Sequence, residues 1–224
     1  LFWETTLRCN AKCKHCGSRA GEDCNFKDEL TTEEIKNALQ NIANKYDANE
    51  ILLNITGGEP LVRKDLFEVM KFARNLGYHW GMTTNAMLIN DESIEKMKET
   101  GMTTISISLD GLEKSHDEFR GIKGSFVKII ENIQKLKEAK FLNYLQITTV
   151  VNKLNIEELE EMYQKMKELQ IDSWRIVNMD PIGRAQDNSE LALEKEDYKY
   201  LLEFIKEKKK NSKFDVTYGC THFV

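Results

Sequence analysis

Long apolar runs are missing from this 224-residue chain. No stretch nears the roughly 18–20 consecutive apolar residues of a membrane-spanning helix. No basic segment followed by an apolar one opens the chain, so it shows no signal peptide, and we expect a cytoplasmic protein with no membrane partner. Proline is scarce, with two residues, and neither a low-complexity segment nor an internal repeat stands out. A large charge excess is also absent. The 32 Lys and Arg face 37 Asp and Glu, a net charge of −5, which argues against nucleic acid as a partner. Five cysteines are an odd number in a chain without a secretory signal, so metal or redox chemistry is a better expectation than a disulfide framework. What is present suits a folded chain. With 41% apolar and 31% charged residues there is ample Ile, Leu, Val and Phe to bury, in one large α/β domain or two small ones.

A short β-rich run, a loop and an amphipathic segment recur along the chain. The runs are Leu1–Thr6, Ile51–Ile55, His79–Thr84, Thr104–Leu109, Leu145–Val151 and Ser173–Asn178, with a last one at Phe214–Tyr218. Thr31 reads as an N-cap with Glu34 as its capping-box partner. It opens a helix with Ile35, Leu39, Ile42 and Tyr46 at helical spacing. Further helices are expected at Asp65–Leu76, Asp91–Thr100, Ser125–Lys140, Ile156–Leu169 and Lys195–Lys210, two of them closed by Gly77 and Gly101. Six strand–helix units and a final strand imply a mostly parallel α/β sheet with right-handed crossovers. An open doubly wound sheet and a partial (βα)6 barrel both fit, and both place function at the C-terminal strand ends.

Those ends carry special-geometry and polar residues. Cys9, Cys13 and Cys16 follow the first run, Gly57-Gly58-Glu59-Pro60 the second and Thr84-Asn85 the third. On the fourth, Ser106, Ser108 and Asp110 share one face and Ile105, Ile107 and Leu109 the other. Three thiolates within eight residues can wrap one metal centre from a single loop. They can hold three corners of a four-iron cluster, leaving one iron open to a small molecule. They can also form a structural zinc site completed by His15 or Cys24. In a GGEP turn the glycines permit close backbone approach to a ligand, and the glutamate can accept a bond from an ammonium group.

The C-x3-C-x2-C loop after a first strand, with GGEP after the second, resembles the radical SAM enzymes. His15 stands where that family usually has an aromatic residue. The resemblance covers nearly the whole chain and implies the family's TIM-like partial (βα)6 barrel with parallel strands. It implies a 4Fe–4S cluster on Cys9, Cys13 and Cys16, with S-adenosylmethionine chelating the open iron. One electron, from a donor such as flavodoxin or ferredoxin, would cleave the sulfonium to methionine and a 5′-deoxyadenosyl radical that takes hydrogen from a substrate. Gly57, Gly58, Glu59 and Pro60 would meet the methionine amine. Thr84, Ser106 and Ser108 read as ribose or carboxylate contacts, Arg120 as a partner for the carboxylate, and Val150 or Val151 as a neighbour of adenine.

The stretch from Leu109 to Phe126, and Gly183-Arg184-Ala185, resemble the SPASM-containing, peptide-modifying branch. That branch implies a ribosomally made peptide substrate and a cross-link or other oxidation as the outcome. Anaerobic sulfatase maturation and redox-cofactor biosynthesis, such as for pyrroloquinoline quinone or mycofactocin, are alternatives within the family. A zinc-stabilised, non-catalytic binding module is the alternative outside it. Cys220 would begin the ligation of an auxiliary cluster. Residues 1–213 are then the core and 214–224 the start of a truncated C-terminal region. The chain reads as a fragment, since it opens at Leu1 without Met. Cys24 has no role in this pattern, and His79 and His222 suggest only packing or exposure.

Overall fold

The computed structural model describes residues 1–21, 26 and 29–219. Seven strands form one sheet: β1 Phe2–Glu4, β2 Leu52–Thr56, β3 His79–Thr84, β4 Met102–Ser108, β5 Tyr144–Val151, β6 Ser173–Asn178 and β7 Asp215–Gly219. Every pairing is parallel and the spatial order is the chain order, β1 to β7. There is no point at which the strand order reverses. This is the winding of an open (βα)6 barrel with a seventh strand, not of a doubly wound sheet.

The helices are α1 Thr32–Ala43, α2 Leu66–Asn75, α3 Asp91–Glu99, α4 Glu113–Arg120, α5 Ser125–Glu138, α6 Leu159–Leu169, α7 Arg184–Asp187 and α8 Lys195–Asn211. Thr31 caps α1 in the expected box with Glu34. Strand alternation decides where the core lies. On β4 and β5, Ile105, Ile107, Leu145, Ile147 and Val151 are buried toward the helices, while Ser106, Ser108, Gln146, Thr148 and Val150 are half-buried on the inner face. The apolar core is therefore the layer between sheet and helices, anchored by the fully buried Trp80 and Trp174. The inner face stays polar and open, because among the described residues β1 and β7 do not pair.

Two helices are additional to those expected, α4 and the four-residue α7. The strand expected at Phe214–Tyr218 is β7, which pairs with β6 as a member of the same sheet. Cys220, expected to begin the ligation of an auxiliary cluster, lies outside the described residues, as do Cys24 and His222. Among the described residues no helix is long and apolar enough to cross a membrane.

Candidate functional site

The cysteine loop leaves β1 and is held on three sides. On the first, parallel pairing continues beyond the strands: Gly58 N donates to Thr6 O at 2.7 Å and Glu59 N to Arg8 O at 2.9 Å. This register demands glycine. A Cβ on Gly57, whose φ is +151°, would lie 2.5 Å from Thr6 O, and one on Gly58 would lie 2.3 Å from Arg8 O. The glycines thus admit the cysteine loop's own backbone, while also lining the cavity described below.

On the second side, Arg184 reaches back from α7. Its Nε donates to Cys13 O at 2.9 Å and its Nη2 to Ala20 O at 3.0 Å, while its backbone N–H donates to Cys16 O at 2.9 Å. Asn188 Nδ2 donates to Lys14 O at 3.2 Å. On the third side, Lys14 N donates to Phe119 O at 2.9 Å, and His15 stacks on the Phe119 ring with centroids 4.5 Å apart. Burial, reinforced by the charges of Arg120 and Arg184, holds the His15 imidazole well below its ordinary pKa, so it is neutral.

These constraints turn all three thiols toward one cavity of about 210 Å³. Gly57, Gly58, Thr84, Ser108, Arg120 and His15 line it as well. Each sulfur receives one N–H: Ala11 N to Cys9 Sγ at 3.4 Å, Ala20 N to Cys16 Sγ at 3.3 Å and Arg120 Nη1 to Cys13 Sγ at 3.4 Å. Burial pushes the Cys9 thiol up to about 11, so without a metal it keeps its proton, and a metal would displace it. Donors on every sulfur suit thiolates ligating an iron–sulfur cluster. Among the described residues no three His, Cys, Asp or Glu side chains converge closely enough for a single ion.

Glu59 is fully buried beside the cavity wall. Its carboxylate accepts from Thr84 Oγ1 at 2.8 Å, Asn85 N at 2.8 Å and Leu61 N at 3.1 Å, which ties the end of β2 to the end of β3. Burial raises its pKa, opposed by those three bonds. Pro60 is buried at the first position of the short turn that Glu59 caps. Asn85 Nδ2 donates to Asn10 Oδ1 at 2.7 Å, a tie between this wall and the cysteine loop.

Arg120 is almost fully buried. Its Nε lies 2.5 Å from Asp110 Oδ2, an ion pair between the end of α4 and the end of β4. Burial alone would lower its pKa, but Asp110 and the Cys13 sulfur together raise it. Ser106 does not reach the cysteine cavity. It sits deeper in the barrel, bonded to Gln146 at 3.2 Å and Thr148 at 2.9 Å. Val150 lines a neighbouring recess that shares His15 and Gly17 with the cavity. Sequence reasoning missed the clamp made by Arg184 and the Asp110–Arg120 pair. Only the Gly183-Arg184-Ala185 string hinted at the former.

With this geometry in hand, likeness to known proteins is informative. The profile of the Radical SAM superfamily matches residues 3–166. The chain is 33% identical over 221 residues to the AdoMet-dependent heme synthase of Methanosarcina barkeri, covering 98% of this chain and 61% of that protein. It is 28% identical over 189 residues to the PqqA peptide cyclase of Bradyrhizobium diazoefficiens, covering 84% of this chain and 45% of that one. The chain thus spans 61% and 45% of the lengths of these relatives. In fold it is similar to the solved structure of anSMEcpe with bound AdoMet, with a TM-score of 0.78 and 21% identity over 97% of this chain and 62% of that one. A three-thiol cavity at the top of an open, sequentially wound parallel barrel and a profile match over most of the chain lead to one conclusion: this chain belongs to the Radical SAM superfamily.

Proposed function

We propose that the chain is the core of an enzyme that holds a 4Fe–4S cluster on Cys9, Cys13 and Cys16, with S-adenosylmethionine beside it. Bound and reduced, that pair supplies homolytic cleavage of the sulfonium and a 5′-deoxyadenosyl radical that abstracts hydrogen from a substrate. The observation carrying this reading is that Cys9, Cys13 and Cys16 line one cavity, each sulfur with an N–H donor.

The chain's own residues position and shield. Gly57 and Gly58 let the β2 end approach the cysteine loop, and Glu59 fixes Thr84 and Asn85 as the opposite wall. That Arg120 lines the cavity, paired with Asp110, supports reading it as a partner for the carboxylate of S-adenosylmethionine. Ser108 offers a hydroxyl on the cavity wall that Thr84 also lines, and Val150 an apolar face next to it. A reduced flavodoxin or ferredoxin supplies the electron, and Cys220 begins an auxiliary cluster in the full-length protein.

Two substrate readings follow from the relatives. A peptide substrate is supported by likeness to the PqqA peptide cyclase. Redox-cofactor synthesis on a tetrapyrrole is supported by the higher identity to the heme synthase and by the longer stretch it covers.

Anaerobic reconstitution with iron and sulfide tests the core reading. The expected result is a brown protein that, once reduced, forms 5′-deoxyadenosine from S-adenosylmethionine, with Cys13→Ala losing both the colour and the product. A colourless, zinc-loaded protein inert toward S-adenosylmethionine would overturn it in favour of a metal-stabilised binding module.

A further inference from the structure

The site described so far leaves a charged side chain on the inner face of the barrel without a role. Arg175 lies in mid-β6 and is exposed on the inner face of the sheet. Its register neighbours are Thr148 on β5 and Thr217 on β7, and Thr148 is itself the neighbour of Ser108 on β4. Ser108, Thr148 and Arg175 therefore form one cross-strand row. Neighbouring strands lie about 4.8 Å apart, so the Arg175 backbone is about 10 Å from Ser108, a wall residue of the cysteine cavity.

Two recesses meet at this side chain. One, of about 320 Å³, extends toward the start of the strands past Gln146 and Ser106. The other, of about 350 Å³, runs past Val150 to His15 and Gly17, which also line the cysteine cavity. Among the described residues lining either recess, Arg175 is the one Lys or Arg. Three neutral groups of the deeper recess are already bonded, Ser106 to Gln146 and Thr148, and Gln146 also to Ser173. Asp180 lines the other recess and accepts from Asn178 Nδ2 at 2.8 Å. Arg120 and Arg184, the cations of the cysteine cavity, hold Asp110, Cys13 and loop carbonyls. No carboxylate among the described residues lies within ion-pair distance of Arg175.

The fold also leaves space for the guanidinium. A Cβ on Gly219 of β7 would lie 2.9 Å from Arg175 Nε and 3.0 Å from Nη2. A guanidinium stays charged throughout the useful pH range and presents paired donors matched to a carboxylate. We propose that Arg175 anchors a carboxylate of the substrate, holding the substrate along the row that leads to Ser108. The position of the reacting carbon above it rests on the radical SAM reading. The carboxylate is either an acidic side chain or C-terminus of a peptide, or the propionate of a tetrapyrrole.

The test uses full-length wild-type protein, anaerobically reconstituted, and follows modification of Arg175 by phenylglyoxal through peptide mapping. One arm adds Fe-coproporphyrin III or its tetramethyl ester. The other adds a capped Gly-Glu-Gly peptide or its Gly-Gln-Gly counterpart. The expected result is that Arg175 reacts in the free protein and that one carboxylate probe slows the reaction about tenfold relative to its neutral counterpart. The exposed Arg8 serves as the unprotected reference, and the protecting arm identifies the source of the carboxylate. Equal rates with charged and neutral probes in both arms would overturn the proposal, as would an Arg175 already unreactive without a probe because another part of the protein pairs with it. Modification needs no turnover, so a protein that fails to cleave S-adenosylmethionine still gives an answer on Arg175.

Discussion

Arg184 Nε and the main-chain carbonyl of Cys13 lie 2.9 Å apart across 171 residues of sequence. With Nη2 on Ala20 O, this one side chain fixes both ends of the segment that carries Cys13 and Cys16. A loop with little regular structure keeps its sulfurs placed because a late element of the fold reaches back to it.

Arg184→Ala removes the charge-assisted bonds to Cys13 O and Ala20 O and leaves those carbonyl acceptors part-buried. A loss of about 2–4 kcal/mol of stability is expected, together with a lower iron content after reconstitution. Denaturant midpoints and iron analysis check both. A variant that loads iron fully would show that the loop holds its shape without the clamp.

Gly58→Ala and Gly124→Ala make a controlled pair. At Gly58 the new Cβ meets backbone, Arg8 O at 2.3 Å, which neither chain can yield without breaking the Glu59–Arg8 bond. At Gly124, φ is +80° and nothing lies within 4 Å of the new atom. Gly124→Ala should cost about 1 kcal/mol through left-handed backbone strain alone. Gly58→Ala should cost more than about 3 kcal/mol and lower cluster loading. Thermal unfolding and the iron–sulfur absorbance distinguish the two. Equal penalties would mean that GGEP does not press on the cysteine loop as described.

What could be read from the sequence was local. The cysteine spacing, the GGEP turn and the Thr31–Glu34 cap are all defined within a few residues, and the alternation on β4 and β5 states which face is buried. Helix α4 escaped because its buried positions are Ser115, His116, Phe119 and Arg120, a mostly polar set that gives no apolar period, and because no side chain caps its start. Helix α7 is a single turn. The Asp110–Arg120 pair and the Arg184 clamp are contacts between distant segments. The identity of Glu59 was legible, but the orientation set by its bonds to Thr84, Asn85 and Leu61 was not.

Glu59→Gln tests that orientation. The amide keeps one oxygen, so one of the three donors from Thr84, Leu61 and Asn85 loses its acceptor in a fully buried place. A loss of about 1–3 kcal/mol is expected from the unsatisfied group. S-adenosylmethionine affinity, measured by equilibrium dialysis on the reconstituted protein, should fall only as far as the Thr84–Asn85 wall shifts. A variant with wild-type stability and no S-adenosylmethionine binding would show instead that the carboxylate meets the ligand directly.

His116 supplies an acid-sensitive contribution to the fold. It is fully buried in α4, and its Nδ1 accepts from Asp110 N at 2.9 Å, so the ring is neutral with its proton on Nε2. Burial, then the nearby Arg120 charge, lowers its pKa from 6.5 to about 4, with Asp110 opposing. Because the folded value lies below the unfolded one, the unfolded chain binds the extra proton first as pH falls. The contribution is whole above pH 6.5 and is lost progressively down to about pH 4, amounting to about 3 kcal/mol over that window. His116→Asn cannot titrate there, and its side-chain oxygen can still accept from Asp110 N. Its stability should therefore fall less steeply between pH 6.5 and 4 than that of the wild type, measured as denaturant midpoints at equal cluster loading. Parallel pH profiles for the two proteins would mean that the acid sensitivity of this fold resides elsewhere.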